Sequence, residues 1–594
     1  MAAAPNVAAV PEGSVAERVP PDRRGPRRWV DAAVGAGFLV GAGYATSSLW
    51  TGGQDRVVAG LGAQDQVLME WFLGHAARSL AHLRNPLFSG QLDVPYGVNV
   101  MANTSVLGLG LPAAPVTLLF GPAVSFAVLV TLALAGTAAA WYYVLSRHVV
   151  SSRAAAAVGG AFCGFAPGMV SESLGHLQMV AQLLIPLIAL LIVRMGAPGR
   201  IWPRGVALGV LVTWQVFISE ETLLFTGAAV GVFLLAYALV RRQAWRDLRR
   251  WAQGIGIALA VCVPLLAYPL YRQFLGAGSY RGLPFAPSLI YLDLASYPAF
   301  PSNSLAGSAA SARLAHTIAE QTSFFGWPLL LVTLGCAVWL WRGGSAVARA
   351  AALSGLVFAL LSLGERVVVD GWRTPLPGPY RLVDRLPIVD LVVSARLGLV
   401  VVPFAGLLLA LAVDRAGAGR RRALVLVAVV AAAVPLVPLP LPTTTLAPVP
   451  HFVTSGAWRA YVPAGRTLVA VPTASSFALD GIRWSTATGQ DLAIPRGYFL
   501  GPDRTNPGHS LYGAVPTWTS IVLDEVVASG QVHVRVPGDD RLVMADLRLW
   551  RAAVVVLRPG QPGASALRAT LDQYLGPARQ VDDVWLWDVR ALLH

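Results

Sequence analysis

Apolar residues run almost unbroken near 30–50, 124–146, 154–172, 178–195, 204–219, 221–240, 252–274, 323–341, 348–364, 396–413 and 422–441. At about 1.5 Å of helix rise per residue, runs of this length approach the ~30 Å hydrocarbon core of a bilayer. The pattern therefore predicts eleven transmembrane helices. A twelfth apolar stretch, 104–121, is broken by Pro112, Pro115 and several glycines, and predicts a re-entrant or interfacial segment. After residue 450 the pattern changes. Leu468–Pro472, Val532–Val536, Ala553–Leu557 and 584–589 read as strands, and 564–575 reads as a short amphipathic helix. The expected fold class is an all-α polytopic membrane protein of about eleven helices plus the re-entrant segment, with a small C-terminal α/β domain.

The expected organisation follows. Residues 1–28, rich in Ala, Pro and Arg, form a disordered cytoplasmic tail, and 29–441 form the transmembrane body with a large outer loop at 51–123. A Pro-rich linker at 442–450 is expected to be extended and semi-rigid, carrying an extracytoplasmic domain at 451–594. Composition narrows the class further. Of 594 residues 55% are hydrophobic and 13% charged, about half the charged share of a soluble domain, which excludes an ordinary soluble enzyme and a disordered chain alike. Cys163, Cys262 and Cys336 sit in apolar runs and offer no disulfide framework or metal motif.

The net charge of +14 in a soluble protein would suggest nucleic acid. Mapped onto the runs, it separates by side. All 45 basic residues are arginine; the tail and alternate short connections hold 21 of them against six acids, whereas the opposite loops and the C-terminal domain are nearly neutral. Arginine in short loops faces the cytoplasm. The N-terminus is therefore expected inside and the C-terminal domain outside, in the plasma membrane. The charge reports orientation and attraction to membrane lipids, and no nucleic acid is expected.

The outer side gathers ionisable groups at helix ends, where carboxylates and histidine are costly unless they face a cavity. Asp65 and Glu70 lie in the first loop, Glu172 and His176 flank the second, and Glu220 and Glu221 open the sixth run. After Asp65, residues Met69, Phe72, Leu73, Ala76, Leu80 and Leu83 repeat at helical spacing, the pattern of an interfacial helix lying along the bilayer. An aspartate held there suits a general base for a lipid-borne substrate, or else caps the helix. Glu220 and Glu221, being adjacent, point apart, so at most one faces a pocket.

Several short motifs carry a resemblance. They are Asp65-Gln66, Trp71-Phe72-Leu73, Asn85-Pro86-Leu87-Phe88, Pro95-Tyr96-Gly97-Val98-Asn99, Gly164-Phe165 with Pro167, Gly175-His176, Ser219-Glu220-Glu221 and Pro379-Tyr380-Arg381 followed by Arg396. In the C-terminal region Arg483-Trp484, Gly497-Tyr498-Phe499, Pro516-Thr517, Asp546–Trp550 and Val584–Asp588 add to them. The chain resembles the bacterial polytopic glycosyltransferases of the GT-C fold, particularly actinobacterial members with a C-terminal outer domain. The resemblance implies inverting transfer of a sugar from a polyprenyl-phosphate donor to an extracytoplasmic glycan, lipid or protein acceptor. Asp65 would be the catalytic base. Glu70, Glu172, His176, Glu220 and Glu221 would bind substrate or tune the base, and Arg381 and Arg396 would hold the donor phosphate. Many relatives carry an Asp-x-Asp motif in the first loop; here Asp65 stands beside Gln66, so no cofactor is assigned and no motif supports a divalent metal. A transporter or flippase of lipid-linked glycan and a non-catalytic cell-envelope scaffold are the alternatives. A transporter would more often show repeated halves with helices broken at the midplane.

Overall fold

Helix forms over each of the eleven apolar runs, but the runs differ in how far they extend. The computed structural model describes residues 28–241, 248–386 and 388–593; of the tail expected at 1–28, only Arg28 lies within them. Among the described residues six helical segments are long and apolar enough to cross a membrane: Pro122–His148, Arg153–Glu172, Leu177–Arg194, Glu220–Val240, Leu248–Leu275 and Ser394–Arg415. Trp327–Arg342 and Ala346–Leu361 are apolar but shorter. The last run yields only the 14-residue helix Arg420–Ala433, because Pro435, Pro438 and Pro440 lack the N–H that would continue it. The stretch 104–121 is two short helices, Leu107–Gly110 and Ala114–Phe120.

Small residues let the central helices approach. Pro122–His148 packs along Arg153–Phe165, which in turn packs on Gly398–Arg415. A Cβ on Gly164 would lie 2.5 Å from the Cβ of Ala138, so only glycine permits this separation. At one end of the bundle Asp31 pairs with Arg147 and Arg153, each at 2.9 Å, and accepts a hydrogen bond from Tyr142. From there Arg153–Phe165, broken before Pro167 and continued by Pro167–Glu172, carries the chain to the opposite end. Twenty helical residues cover about 30 Å. Glu172 therefore emerges a membrane's thickness away from the Asp31 cluster.

The C-terminal part contains a four-stranded sheet in the order Arg579–Val581, Val584–Asp588, Ala552–Leu557, Thr467–Val471. The last pair is parallel and the others antiparallel. Trp518–Ser529, Asp539–Leu549 and Ala564–Leu575 supply helices that share a core with its strands. Residues 532–536, expected as a strand, are irregular. They dock instead on the Ala564–Leu575 helix, His533 donating its N–H to Thr570 Oγ1 at 3.1 Å and Arg535 reaching the Gln573 carbonyl at 2.8 Å. Alternating apolar residues fit an extended chain against a helix as well as they fit a sheet. The Pro-rich segment also has a partner: Thr443–Thr445 pairs antiparallel with Arg56–Val58 of the first loop.

The first-loop helix, Gly62–Ala81, departs from the expected interfacial helix along the bilayer. It is buried on both faces, including Gln66, Glu70, His75 and Ser79. One side packs on Ala114–Phe120 and Pro122–His148, and the other on Asp480–Ala487 of the C-terminal part. Trp71, Phe72, Leu92, Trp484, Ile494 and Phe499 belong to one core. Backbone bonds between Val94 and Ile494 and between Ile494 and Gln91 stitch the two regions together, and Gln490 donates to the Trp71 carbonyl at 2.6 Å.

Glu70 lies inside this joint, accepting from Gln66 Nε2 at 2.8 Å. Burial pushes its carboxyl up to about 7, against the pull of Gln66 and Arg483. A carboxyl raised in this way favours the folded state below its unfolded value near 4.5, and that contribution is lost as pH rises through 7. The shift corresponds to roughly 3 kcal/mol. Glu70→Gln, neutral at every pH, is therefore expected to stabilise the protein at pH 8 by about 1–3 kcal/mol and far less at pH 5. Thermal unfolding of both forms at the two pH values measures the difference.

Candidate functional site

Asp65 sits in the first turn of Gly62–Ala81, where Leu61 occupies the N-cap position. Its carboxylate is free for tertiary contacts and does not cap the helix. Oδ1 accepts from the Tyr498 hydroxyl at 2.7 Å, and Oδ2 lies 3.5 Å from His176 Nε2. On its other side the His176 ring meets Glu172 Oε2 through Nδ1 at 2.6 Å. The carboxylate of Glu172 is fully buried, and its second oxygen has no protein partner.

Backbone economy makes the Asp65–His176 contact fit. Gly175 has φ +119°, and a Cβ there would stand 2.9 Å from both the Asp65 Cβ and the Gly62 carbonyl oxygen. Glycine is the residue that reaches this conformation without strain. Gly175→Ala is expected to push Asp65 away from His176 and, with Asp65 as the base expected from the sequence, to lower turnover at least tenfold. The variant should still fold, as circular dichroism would check.

Glu320 enters from the long loop that precedes Trp327–Arg342. Gln321 N–H donates to Ser171 Oγ at 3.0 Å, and the Ser171 hydroxyl donates to the Ile318 carbonyl. Thr322 Oγ1 donates to the Ala395 carbonyl at 2.8 Å. These bonds hold Glu320 between the end of Pro167–Glu172 and the short turn Ser394–Leu397, which carries Arg396. Arg396 contacts Glu320 through Nη2 at 2.7 Å and Nε at 3.2 Å, and Glu221 through Nη1 at 3.0 Å. The result is one connected chain: Tyr498, Asp65, His176, Glu172, then Glu320, Arg396 and Glu221.

Its electrostatics are uneven. Burial alone would discharge His176, but the carboxylates of Glu172 and Asp65 hold its imidazole well above the usual histidine value. Burial would likewise raise Glu320, yet Arg396 and His176 keep its carboxyl below the usual range. Four carboxylates thus face one guanidinium and one imidazolium. A phosphate entering this cluster needs further positive charge or displacement of an acid from Arg396. Ligand atoms of Glu172, His176 and Glu320 all lie within 4.8 Å of one another. Two carboxylates, one of them with an orphaned oxygen, and one imidazole make a donor set that fits a divalent cation such as Mn²⁺. Binding would replace the proton on His176.

Some expected residues lie elsewhere. Glu220 accepts from Gln273 at 2.8 Å, pointing away from Arg396 as its neighbour Glu221 points toward it. Arg381 is exposed and makes no described contact with the chain of groups, and Glu70 belongs to the joint described above. Glu320 is one of the outer-side acids that the sequence sets near a polar pocket, without an assigned role, and Tyr498 stands only within the Gly497-Tyr498-Phe499 motif. Tyr498 follows Gly497, whose Cβ would lie 2.6 Å from Leu92, so a glycine before an aromatic residue marks the close approach. Tyr498 is also 5.9 Å from the Tyr512 ring, which stacks on Phe285 at 6.0 Å. Burial and Asp65 push the Tyr512 hydroxyl up to about 12. An aromatic wall thus borders the acidic chain.

The sequence matches no protein-family model and no curated protein. Solved structures define the fold class: it is that of the GT-C glycosyltransferases. The arabinofuranosyltransferase AftD from mycobacteria superposes with a TM-score of 0.53 at 17% identity, over 96% of this chain and 40% of AftD. This chain therefore spans well under half of AftD's length. ArnT from Cupriavidus metallidurans aligns over 95% of this chain and 98% of its own at TM-score 0.44 and 12% identity. The archaeal oligosaccharyltransferase AglB from Archaeoglobus fulgidus aligns over 91% and 71%, also at 0.44 and 12%. At these identities the likeness concerns the fold.

Proposed function

We propose that the protein is an integral membrane glycosyltransferase that transfers a sugar from a polyprenyl-phosphate donor to an extracytoplasmic glycan, lipid or protein acceptor, with inversion. The observation that carries this reading is the connected chain from Tyr498 through Asp65 and His176 to Arg396. It lies at one end of an apolar bundle, opposite the Asp31 cluster. The GT-C fold supports it. So does the charge pattern, which favours eleven crossings, a cytoplasmic N-terminus and a C-terminal domain outside the plasma membrane.

Asp65 takes the proton of an acceptor hydroxyl as that oxygen attacks the anomeric carbon. The bond from that carbon to the phosphate oxygen breaks, and the lipid leaves as polyprenyl phosphate. No nucleotide-binding element is needed, since the leaving group is already a stabilised anion. Tyr498 and His176 hold the two Asp65 oxygens in place, so that the carboxylate needs little reorganisation. Arg396 is the cation available to the leaving phosphate, and Glu320 and Glu221 fix its fork. A divalent cation held by Glu172, His176 and Glu320 would supply charge to offset the phosphate. The aromatic rings of Tyr498, Tyr512 and Phe285 give an acceptor sugar a surface to lie against.

Purified protein given radiolabelled polyprenyl-phosphate sugars and a panel of envelope glycans should release polyprenyl phosphate only when an acceptor is present. Absence of release with every lipid-linked sugar would favour transport or scaffolding.

A further inference from the structure

A cavity of about 1170 Å³ lies between the helices, and its lining extends from residues close to the candidate site to residues at the far end of the bundle. At its upper end are Thr222 and Leu399, which follow Glu221 and Arg396 closely in sequence. Its walls are apolar, with Ala189, Ala229, Phe233 and Leu407 among them. Its lower end is basic. His148, Arg194, Arg204 and Arg241 all line it, at the ends of helices whose neighbour Arg147 pairs with Asp31. None of the described lining residues is acidic.

The arginines there divide the work. Arg204 is committed to structure: its guanidinium donates to the carbonyls of Arg194 at 2.7 Å, Ala197 at 2.9 Å and Pro198 at 3.0 Å. These bonds tie the turn after Ile185–Arg194 to the first turns of Ile201–Val216, which carries Arg204. Arg194 and Arg241 pair with no carboxylate among the described residues. They line the basic end of an apolar slot, where a lipid's hydrocarbon would lie along the apolar walls and its charge at the arginines.

We propose that this slot is a binding site for a diacyl anionic phospholipid of the phosphatidylglycerol kind, drawn from the leaflet opposite the candidate catalytic site. Acyl chains fill the apolar slot, and the headgroup phosphate meets Arg194 and Arg241. Two features select this occupant. The wall is apolar over most of the bundle's length, so the ligand is amphiphilic. The charge complement sits at the end away from Arg396, so the headgroup of a donor lipid reacting at Asp65 does not account for it. The site stands on the cavity and its arginines, and it does not depend on the catalytic reading.

The test uses the full chain in nanodiscs holding equal phosphatidylglycerol and phosphatidylcholine with identical acyl chains. Native mass spectrometry after detergent extraction counts the retained lipid. Wild type is expected to retain phosphatidylglycerol in preference. Arg194→Gln with Arg241→Gln should lower that retention by at least tenfold, from about fivefold per arginine, and should leave phosphatidylcholine unchanged. Lysine at both positions should restore it. Ala229→Phe, which fills the slot while keeping both arginines, should also remove the bound lipid. Equal retention of the two lipids by wild type overturns the proposal, as does retention that survives both the glutamine pair and Ala229→Phe. Displacement by a polyprenyl phosphate, with no response to the arginine pair, would seat the donor chain in the slot and overturn it equally.

Discussion

Arg396→Ala is expected to destabilise the protein by about 3–5 kcal/mol and to reduce sugar transfer by about 10²–10³-fold. The stability loss follows from what the guanidinium leaves behind. The Glu320 carboxylate is 4% exposed and Glu172 is fully buried. Without Arg396 they share one imidazolium in a region from which water is largely excluded, and an uncompensated buried charge is among the costlier defects a fold can carry. Glu221→Gln should be much milder, because that carboxylate is 26% exposed and solvent can replace its partner. The catalytic part is separable. Arg396→Lys keeps the charge and should recover much of the stability, but it cannot reproduce the fork that spans Glu320 and Glu221. Recovery of thermal stability without recovery of turnover would assign Arg396 to the reaction. Joint recovery of both would make it structural.

Asp65→Asn is expected to lower kcat by about 10²–10⁴-fold, the range for a positioned general base, with KM little changed. Asparagine has the same shape and can still accept from Tyr498, so the fold and the bound substrate should persist. Lengthening the side chain should not restore activity. The Cβ of Asp65 faces Gly175 at the limit of contact, and Glu at this position would displace either His176 or Tyr498.

Much of this arrangement was legible in the sequence, for a physical reason. Hydrocarbon penalises polar groups so heavily that Glu172, His176, Glu221 and Arg396 stand out at the ends of apolar runs, and the structure brings these four together with Asp65. The helical character of each run was equally plain. Other features depend on contacts that no local pattern records. Glu320 lies in a long loop without periodicity, and its position is set by Ser171 and Ala395, which bind its neighbours Gln321 and Thr322 from other segments. Tyr498 arrives from more than 400 residues away. The Gly62–Ala81 helix shows why an amphipathic pattern misleads. It says that one face is buried and is silent about the other, which Trp484, Ile494 and Phe499 cover here. The same covering buries Glu70, which the resemblance had set among the substrate-binding residues. Arg381 illustrates the converse: its motif placed it beside Arg396 in the expected site, whereas in the structure it is exposed and outside the connected chain of groups.

The joint between first loop and C-terminal region also bears on the proposed mechanism. Tyr498 reaches Asp65 only because Arg483, Gln490 and Ile494 fasten that region to the loop that carries the base. On the proposed reading the C-terminal region is part of the catalytic apparatus. Loss of its contacts should loosen Asp65 without touching the membrane body.

The most direct test of the central claim is transfer of radiolabel from a polyprenyl-phosphate sugar to an acceptor glycan by purified wild-type protein, with Asp65→Asn in parallel. The account predicts acceptor-dependent transfer by wild type, none from nucleotide sugars, and a loss of at least a hundredfold in the variant. Equal transfer by the two proteins, or label accepted only from a nucleotide donor, would contradict it.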